Sequence, residues 1–293
     1  MRWKASRSAA CPRSRWRISR KKCIRKASDS RWVSTYVGGT AIGGMAGRVI
    51  SGILADLFGW RVAIGGIGLL GLFATFGFRS LLPPSRRFKP RRDVGVAQHW
   101  HSLAGHVRHR GLPFLFLIGF VLMGSFVTLY NNYVGYRLLG APFQLNQTQI
   151  GAIFTVYLTG VVAPPWSGKM ADVFGRGRVL IASLLLTMIG IALTLSDSLP
   201  VIIAGIACLT FGFFAGHSVA SGWVGRLAAQ AKGQAAALYL LAYYIGSSLI
   251  GSYGGHFWTA FGWPGVAGLI AVLLVIGLAG AAYLNRRERA TAA

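Results

Sequence analysis

Long apolar stretches separated by short polar breaks dominate the chain from Tyr36 onward. Each stretch has roughly 20 residues, which lets an α-helix cross a hydrocarbon layer of about 30 Å. Lipid offers the backbone no hydrogen-bond partner, so such segments form helices or closed barrels, and these runs are too long and too unalternating for barrel strands. The pattern therefore predicts an all-α, polytopic membrane protein whose eight transmembrane helices cover residues 36–57, 62–82, 113–137, 149–171, 178–196, 200–224, 234–257 and 263–284.

Composition changes this picture little. Of the 293 residues, 54% are hydrophobic and 13% are charged, whereas soluble domains average about 25% charged residues. The net charge of +25 would be typical of a nucleic-acid-binding protein if the basic residues formed one patch on a folded domain. They lie instead in the breaks between apolar stretches and at the two ends of the chain. We therefore expect the lipid bilayer, and not nucleic acid, as the partner.

The basic loops predict the orientation of the helices. If successive helices alternate in direction, sixteen basic residues of the internal loops and the tail share one side of the membrane, and Arg61 and Arg137 lie on the other. The positive-inside rule makes the richer side cytoplasmic, as in a bacterial inner (plasma) membrane protein. The sixteen are Arg79, Arg86, Arg87, Lys89, Arg91, Arg92, Arg108, Arg110, Lys169, Arg176, Arg178, Arg226, Lys232, Arg286, Arg287 and Arg289.

The chain divides into five parts. We expect a basic N-terminal segment (1–35), two helices (36–82), a cytoplasmic linker (83–111), a six-helix unit (112–286) and a cytoplasmic tail (287–293). The linker holds four of the six histidines, namely His99, His101, His106 and His109. Their spacing matches no defined metal site, and the three cysteines show no pairing pattern, so neither a metal nor a disulfide is predicted.

An internal repeat appears when the chain is slid against itself by 203 residues. The matched positions are Tyr36 with Tyr239, Ile42 with Ile245, Gly43 with Gly246, Gly52 with Gly255, and the turn Phe58-Gly59-Trp60 with Phe261-Gly262-Trp263. Helices one and two therefore look like the counterpart of helices seven and eight. A complete repeat would have two halves of six helices, twelve in all.

Two six-helix halves joined by a basic cytoplasmic linker resemble the major facilitator superfamily. The loop at Gly168-Lys-Met-Ala-Asp172-Val-Phe-Gly175-Arg176-Gly-Arg178 is similar to the family's pattern of glycine, three residues, aspartate, two residues, glycine, arginine, any residue, and arginine or lysine. The resemblance implies a loop that latches one conformation, in which Asp172 accepts hydrogen bonds from a neighbouring helix N-terminus and the arginines bind carboxylates or lipid phosphates. An ordinary charged loop is the alternative.

The resemblance to the superfamily covers residues 36–286 and includes a second motif, in a glycine-rich helix. Residues Gly39 to Arg48 are similar to the fifth-helix motif of the family's proton-driven exporters, with Gly44 where proline is usual and Arg48 where glycine is usual. Residues Gly47 to Arg61 resemble exporters of the arabinose-efflux and drug-efflux type. The glycines expected to pack helices closely are Gly39, Gly43, Gly44, Gly47 and Gly52.

Residues 1–35 do not fit this pattern, since they hold twelve of the 31 basic residues and no apolar stretch. One interpretation is a cytoplasmic arm that binds anionic lipid. Another is translation in the wrong frame, because codons exist for residues 14–35 whose alternative frame spells a peptide resembling a transporter loop and the start of its fifth helix. We favour the second hypothesis, in which a frameshift removed the first four helices.

Charged and polar residues inside predicted spans are the candidates for transport. Arg48 could bind an anionic substrate group, pair with a carboxylate on another helix, or serve as a hydrogen-bond donor in helix packing. His217 could carry a proton near neutral pH or be a satisfied core histidine. Cavity lining or aromatic packing would explain Tyr130, Asn131, Asn132, Tyr239 and Tyr243.

The acidic residues all map to loops, tails or helix ends, so no carboxylate is predicted at mid-membrane. The expected function is a secondary transporter that exports a small molecule in exchange for protons. A non-transporting remnant and a membrane-anchored binding protein with a basic arm remain alternatives. Enzymatic activity and a cofactor are not expected, because no Ser-His-Asp, metal or phosphate-loop constellation is present. Neither the substrate nor an oligomeric state is indicated.

Overall fold

The computed structural model describes residues 39, 42–82, 95–228 and 230–290, so the segment 1–35, the first part of the linker and residues 291–293 lie outside the described residues. Every regular element in the described part is helical, which confirms the predicted fold class. The helices are α1 (42–58), α2 (Trp60–Leu81), α3 (Val96–Arg108), α4 (Leu112–Leu139), α5 (Gln147–Phe174), α6 (Arg176–Leu193), α7 (Leu199–Leu227), and a stretch Lys232–Ala290 that breaks at Gly262 into α8 (232–261) and α9 (263–290).

The eight predicted spans overlap α1, α2 and α4 to α9, with residues 36–38, 40 and 41 of the first span lying outside the described residues. Within the described residues, six helical stretches are long and apolar enough to cross a membrane, and one of them, Lys232–Ala290, contains both α8 and α9. Helix α1 corresponds to the first predicted span. The chain is therefore a multi-span membrane protein.

Helix α3 lies inside the segment that sequence analysis treats as a linker loop. Its apolar residues Trp100, Leu103 and Val107 recur at helical spacing, but histidines and small residues separate them and conceal the pattern. The helix packs against the bundle on the side of His106, whose side chain is buried. Among the described residues no cluster of three or more metal-binding side chains forms, here or elsewhere.

Three turns between helices depend on a glycine with positive φ. Gly59 joins α1 to α2 (φ 82°), Gly175 joins α5 to α6 (φ 90°), and Gly262 joins α8 to α9 (φ 62°). Their extended ψ values place them in a backbone region that side chains with a Cβ rarely adopt. The internal repeat aligns Gly59 with Gly262, so the matched sequence forms matching turns.

The helices alternate in direction, which gives the bundle two distinct ends. The basic end carries the α5–α6 and α7–α8 connections, where Asp172, Arg176, Arg226 and Glu288 meet. The opposite end carries the turns α4–α5, α6–α7 and α8–α9. Helices α4 to α9 enclose one apolar core, and α1 packs against the first turns of α5. In α2 only Ala63 is buried, which leaves its apolar surface available to lipid.

Candidate functional site

Two irregular helix segments contact each other in the half of the bundle nearer the opposite end. The π-helical segment Val127–Tyr133 lies within α4, and the 3-10 segment Phe154–Leu158 lies within α5. The hydroxyl of Tyr130 donates a hydrogen bond to the carbonyl of Phe154 at 3.2 Å, and the two rings meet edge to face. The candidates Tyr130, Asn131 and Asn132 lie in the π-helical segment, and such segments occur frequently at functional sites.

Arg48 reaches this contact from α1. Its Nη2 donates to the carbonyl oxygen of Asn131 at 2.8 Å, and its guanidinium carbon lies 4.5 Å from the centre of the Phe154 ring. The hydrogen bond is the helix-packing role that sequence analysis left open. Among the described residues no carboxylate lies within 4 Å of Arg48. The residue lies ten positions before the end of α1, or about 15 Å along the helix, close to the middle of a hydrocarbon layer.

A cavity of about 820 Å³ separates α1 and α2 from α4 and α5. It runs inward from Gly59, Trp60 and Leu139 at the opposite end to Arg48 and Asn131 at its deepest point. Two of its wall residues have fixed positions. The amide of Asn132 and the hydroxyl of Tyr133 both donate to the carbonyl of Gly251 in α8, at 3.3 and 3.1 Å.

The contact between α1 and α5 closes one side of this cavity. A Cβ added at Gly52 would lie 2.8 Å from the carbonyl oxygen of Gln147, so glycine is required there. Four residues further along α1, the carboxylate of Asp56 accepts hydrogen bonds from the backbone N–H of Thr148 (2.6 Å) and from its hydroxyl. Sequence analysis placed Asp56 at a helix end and did not identify this cap on α5.

The other predicted packing glycines differ in their surroundings. A Cβ at Gly44 would lie in ordinary contact with the Tyr157 ring at 3.5 Å. Gly39, Gly43 and Gly47 have no atom of the described residues within 4 Å of an added Cβ, apart from their own helix. For those three glycines, close packing stays a prediction.

His217, Tyr239 and Tyr243 come together in the core between α7 and α8. Nδ1 of His217 lies 3.0 Å from the hydroxyl of Tyr239, and the His217 ring lies 4.8 Å from the ring of Tyr243. The histidine therefore has a hydrogen-bond partner, as a satisfied core histidine does, and a role in carrying a proton stays a prediction.

A row of stacked rings joins this cluster to the cavity wall. Phe213 stacks on His217, Phe126 stacks on Phe213 with 4.1 Å between ring centres, and Tyr130 stacks on Phe126 at 4.9 Å. Tyr130 then contacts Phe154, on which Arg48 lies. Two of the predicted transport candidates, His217 and Arg48, thus lie at the two ends of one packed row of aromatic rings.

The predicted loop motif forms a charge cluster at the basic end. Asp172 lies 3.6 Å from Arg176 and 3.9 Å from Arg226 of α7. Arg176 also lies 3.8 Å from Glu288 of α9. The helix N-terminus in this cluster is that of α6, and the residue that accepts its N–H groups is Glu288, not Asp172. Sequence analysis assigned Glu288 to a tail, whereas α9 continues through it.

Two other motif residues lie outside this charge cluster. Arg178 lines an apolar cavity of about 520 Å³ together with Trp166, Phe174 and Phe211. Gly168 faces open space, since an added Cβ would meet no atom of the described residues within 4 Å beyond its own helix.

Comparison with known proteins identifies relatives over most of the chain. The sequence model described as Major Facilitator Superfamily matches residues 24–143 and 126–293. An uncharacterized MFS-type transporter of Bacillus subtilis, YybF, is 45% identical over 251 residues, or 86% of this chain and 62% of the relative. The inner membrane transport protein YnfM of Escherichia coli is 45% identical over 255 residues, or 87% of this chain and 61% of the relative. The chain thus spans about three fifths of the length of these relatives.

Proposed function

Because the chain belongs to the major facilitator superfamily, we propose that it acts in a bacterial inner membrane as a secondary transporter of a small molecule, and that it exports this molecule in exchange for protons. One relative is named an inner membrane transport protein, which supports the location. The basic loops support an orientation with the linker 83–111 and the C-terminus in the cytoplasm. Transport of this kind needs a site near mid-membrane and two packings that expose it alternately.

The contact between α1 and α5 is the observation that carries the proposal. By the internal repeat, α1 belongs to one half of the architecture and α5 to the other. They meet at Gly52 and at the hydrogen bonds between Asp56 and Thr148, beside a cavity that reaches Arg48. A small contact of this type can separate and reform, because it involves one close backbone approach and one exposed polar cap. Its separation would widen the cavity at the opposite end.

Proton exchange is proposed on two grounds. The glycine-rich sequence from Gly39 to Arg48 resembles that of proton-driven exporters. His217 is an ionisable group in the core, held by Tyr239, and the row of rings from His217 to Tyr130 provides a packed connection through which a change at one end can alter the other.

The charge cluster at the basic end is proposed as a latch. Asp172, Arg176, Arg226 and Glu288 join the ends of α5, α7 and α9 to the start of α6. These helices form one half of the bundle, so the cluster fixes their basic ends relative to one another. Binding by the neighbouring arginines to a lipid phosphate or to the other half would add a contact specific to one conformation.

Proteoliposomes that enclose a pH-sensitive dye test the proposal. Gradients of sugars, amphipathic cations and small carboxylates are imposed one at a time, and proton movement is recorded against protein-free liposomes. The proposal expects at least one class of solute to drive proton movement and expects His217→Ala to abolish it. His256→Ala, which changes an exposed histidine near the end of α8, should leave the proton movement intact. Solute exchange without any proton movement would contradict antiport, and no solute movement for any class would contradict transport by this chain.

A further inference from the structure

We propose that the cavity at Arg48 binds an organic anion, with a carboxylate on the Arg48 guanidinium and an aromatic or apolar body lying towards Trp60 and Tyr136. The inference rests on the proposed transport function and names the substrate class for it. It is carried by the position, orientation and electrostatic surroundings of Arg48, and by the residues along the cavity wall.

The charge balance of the cavity favours an anion. Among the described residues that line it, Arg48 is the one that carries a charge. No carboxylate of the described residues lies within 4 Å of its guanidinium. The acid closest along α1 is Asp56, eight residues on and about 12 Å along the helix. Its carboxylate is engaged by Thr148. A guanidinium near mid-membrane is costly unless it is neutralised by a partner, and a carboxylate ligand supplies that partner.

The guanidinium is held in one orientation. The Phe154 ring covers one face at 4.5 Å, and the Asn131 carbonyl accepts from Nη2 at 2.8 Å. These two contacts involve one of the five N–H groups that an arginine carries. The remaining N–H groups form no hydrogen bond with the residues that the structure describes. A carboxylate can accept two parallel hydrogen bonds from such a group, and the exposed side chain of Asn131 lies beside it.

The outer part of the cavity suits an apolar or aromatic body. Trp60 and Tyr136 line it and are 61% and 62% exposed, while Tyr133 stacks on Trp258 at 5.9 Å. The volume of about 820 Å³ falls within the range of small-molecule sites, roughly 300–1,000 Å³. An inorganic anion would fill only the space at Arg48, whereas the body of an aromatic carboxylate would extend from Arg48 into the part of the cavity that leads towards these rings.

Binding of three probes to the purified chain in nanodiscs tests the inference. Benzoate carries the proposed groups, benzamide has the same shape without the charge, and benzylamine has the opposite charge. We expect benzoate to bind at least about tenfold more tightly than benzamide, as charge-assisted hydrogen bonds require, and benzylamine not to bind. Equal affinities for benzoate and benzamide would overturn the inference. This comparison uses the unmodified protein alone.

Three variants then locate the site. Arg48→Gln is expected to weaken benzoate binding by about tenfold or more, and Arg48→Lys by less because it keeps the charge. Arg79→Gln, the same change on an exposed arginine at the other end of α2, is the matched control and should change affinity less than about twofold. Unchanged benzoate affinity in Arg48→Gln would overturn the assignment to Arg48.

Modification of Arg48 by phenylglyoxal, followed by mass spectrometry, separates a free solute from a carboxylate of the protein itself. The inference expects Arg48 to react and benzoate to protect it. An Arg48 that resists modification in the absence of solute would already be paired inside the protein, and this would overturn the inference.

Because binding is measured without transport, the inference and the transport proposal can fail separately. Arg48-dependent benzoate binding with no flux in proteoliposomes would count against the transport proposal alone. Flux without benzoate binding would count against the inference alone.

Discussion

The carboxylate of Glu288 in the last turns of α9 lies 2.8 Å from the backbone nitrogen of Gly177 in the first turn of α6. Its other oxygen accepts from the backbone N–H of Arg176 at 3.2 Å. A negative charge at a helix N-terminus is favourable, because the unpaired N–H groups and the helix dipole both point towards it. Glu288 therefore fixes the end of one helix on the start of another, and the salt bridges from Arg176 and Asp172 extend that connection to α7.

Replacing Glu288 by glutamine should destabilise the basic end. Glutamine keeps one acceptor oxygen but loses the negative charge and the second acceptor, so we expect a loss of about 1 kcal/mol in the free energy of unfolding. Thermal unfolding of the detergent-solubilised protein measures the change. Arg289→Gln, an exposed neighbour in the same turn, is the matched control. Equal effects from the two variants would mean that Glu288 is not the helix cap described here.

Gly175→Ala should be more harmful than Gly168→Ala, although both change a glycine of the same motif. Gly175 has φ 90°, where an added Cβ costs roughly 1–3 kcal/mol. Gly168 lies inside α5 with free space around it, so alanine there should be neutral or stabilising by up to about 1 kcal/mol. The two unfolding midpoints provide the comparison. A fall for Gly168→Ala as large as that for Gly175→Ala would contradict the assigned backbone roles.

Gly52→Ala should push α1 away from α5, because its Cβ would lie 2.8 Å from the Gln147 carbonyl oxygen. Cysteines introduced by Val49→Cys and Gly151→Cys report the separation, since a Cβ at residue 151 lies 3.5 Å from the Cα of Val49. With the natural cysteines replaced by serine, disulfide formation should be slower in Gly52→Ala. Gly47→Ala on the same helix, where an added Cβ meets no other atom of the described residues within 4 Å, should leave the rate unchanged. Slower disulfide formation in Gly47→Ala than in Gly52→Ala would argue against the described contact between α1 and α5.

His109 should make the start of α4 sensitive to acid. Its Nδ1 accepts hydrogen bonds from the backbone N–H groups of Gly111 and Leu112, at 3.1 and 3.2 Å, and only the neutral ring can accept. Burial lowers the pKa of His109 below its ordinary value of 6.5, and electrostatic interactions with Arg287 and the His106 side chain lower it further. The stabilisation is therefore present above the unfolded-state pKa and is lost as pH falls through the lowered folded-state pKa.

Amide hydrogen exchange at Gly111 and Leu112, corrected for intrinsic rates, measures this effect. Protection should fall between neutral and acidic pH in the unmodified protein. His109→Asn keeps an acceptor that does not titrate, so its protection should not depend on pH, and His109→Ala should lack protection throughout. A pH-dependent fall in His109→Asn equal to that of the unmodified protein would exclude His109 as the titrating group.

Much of the fold could be predicted because lipid imposes one rule on every span, and eight apolar segments of helical length obey it. The turns at Gly59 and Gly262 follow from the internal repeat, since the same three residues form both. Helix α3 could not be predicted in the same way. Its contacts with the bundle come from residues distant in sequence, such as the hydrogen bond between His99 and Gln234 of α8 at 2.7 Å, and its own sequence has too weak an apolar pattern to indicate a helix.

The candidate site could be predicted only in part. Arg48, Tyr130 and Asn131 were selected because polar groups within a span are unusual, and the structure brings them together. Glu288 and Asp56 were missed, since each acts across a long sequence distance. Asp56, for example, accepts a hydrogen bond from the backbone N–H of Thr148, 92 positions further along the chain. No local pattern in the sequence indicates such a pairing.

Transport by a cross-linked protein is the most direct test of the central claim that the α1–α5 contact opens and closes during transport. The cysteine pair at positions 49 and 151 is oxidised in proteoliposomes, and solute-driven proton movement is compared before and after reduction. The account predicts that the disulfide stops proton movement and that reduction restores it, while either single cysteine variant is unaffected by oxidant. Undiminished proton movement in fully cross-linked protein would contradict the account.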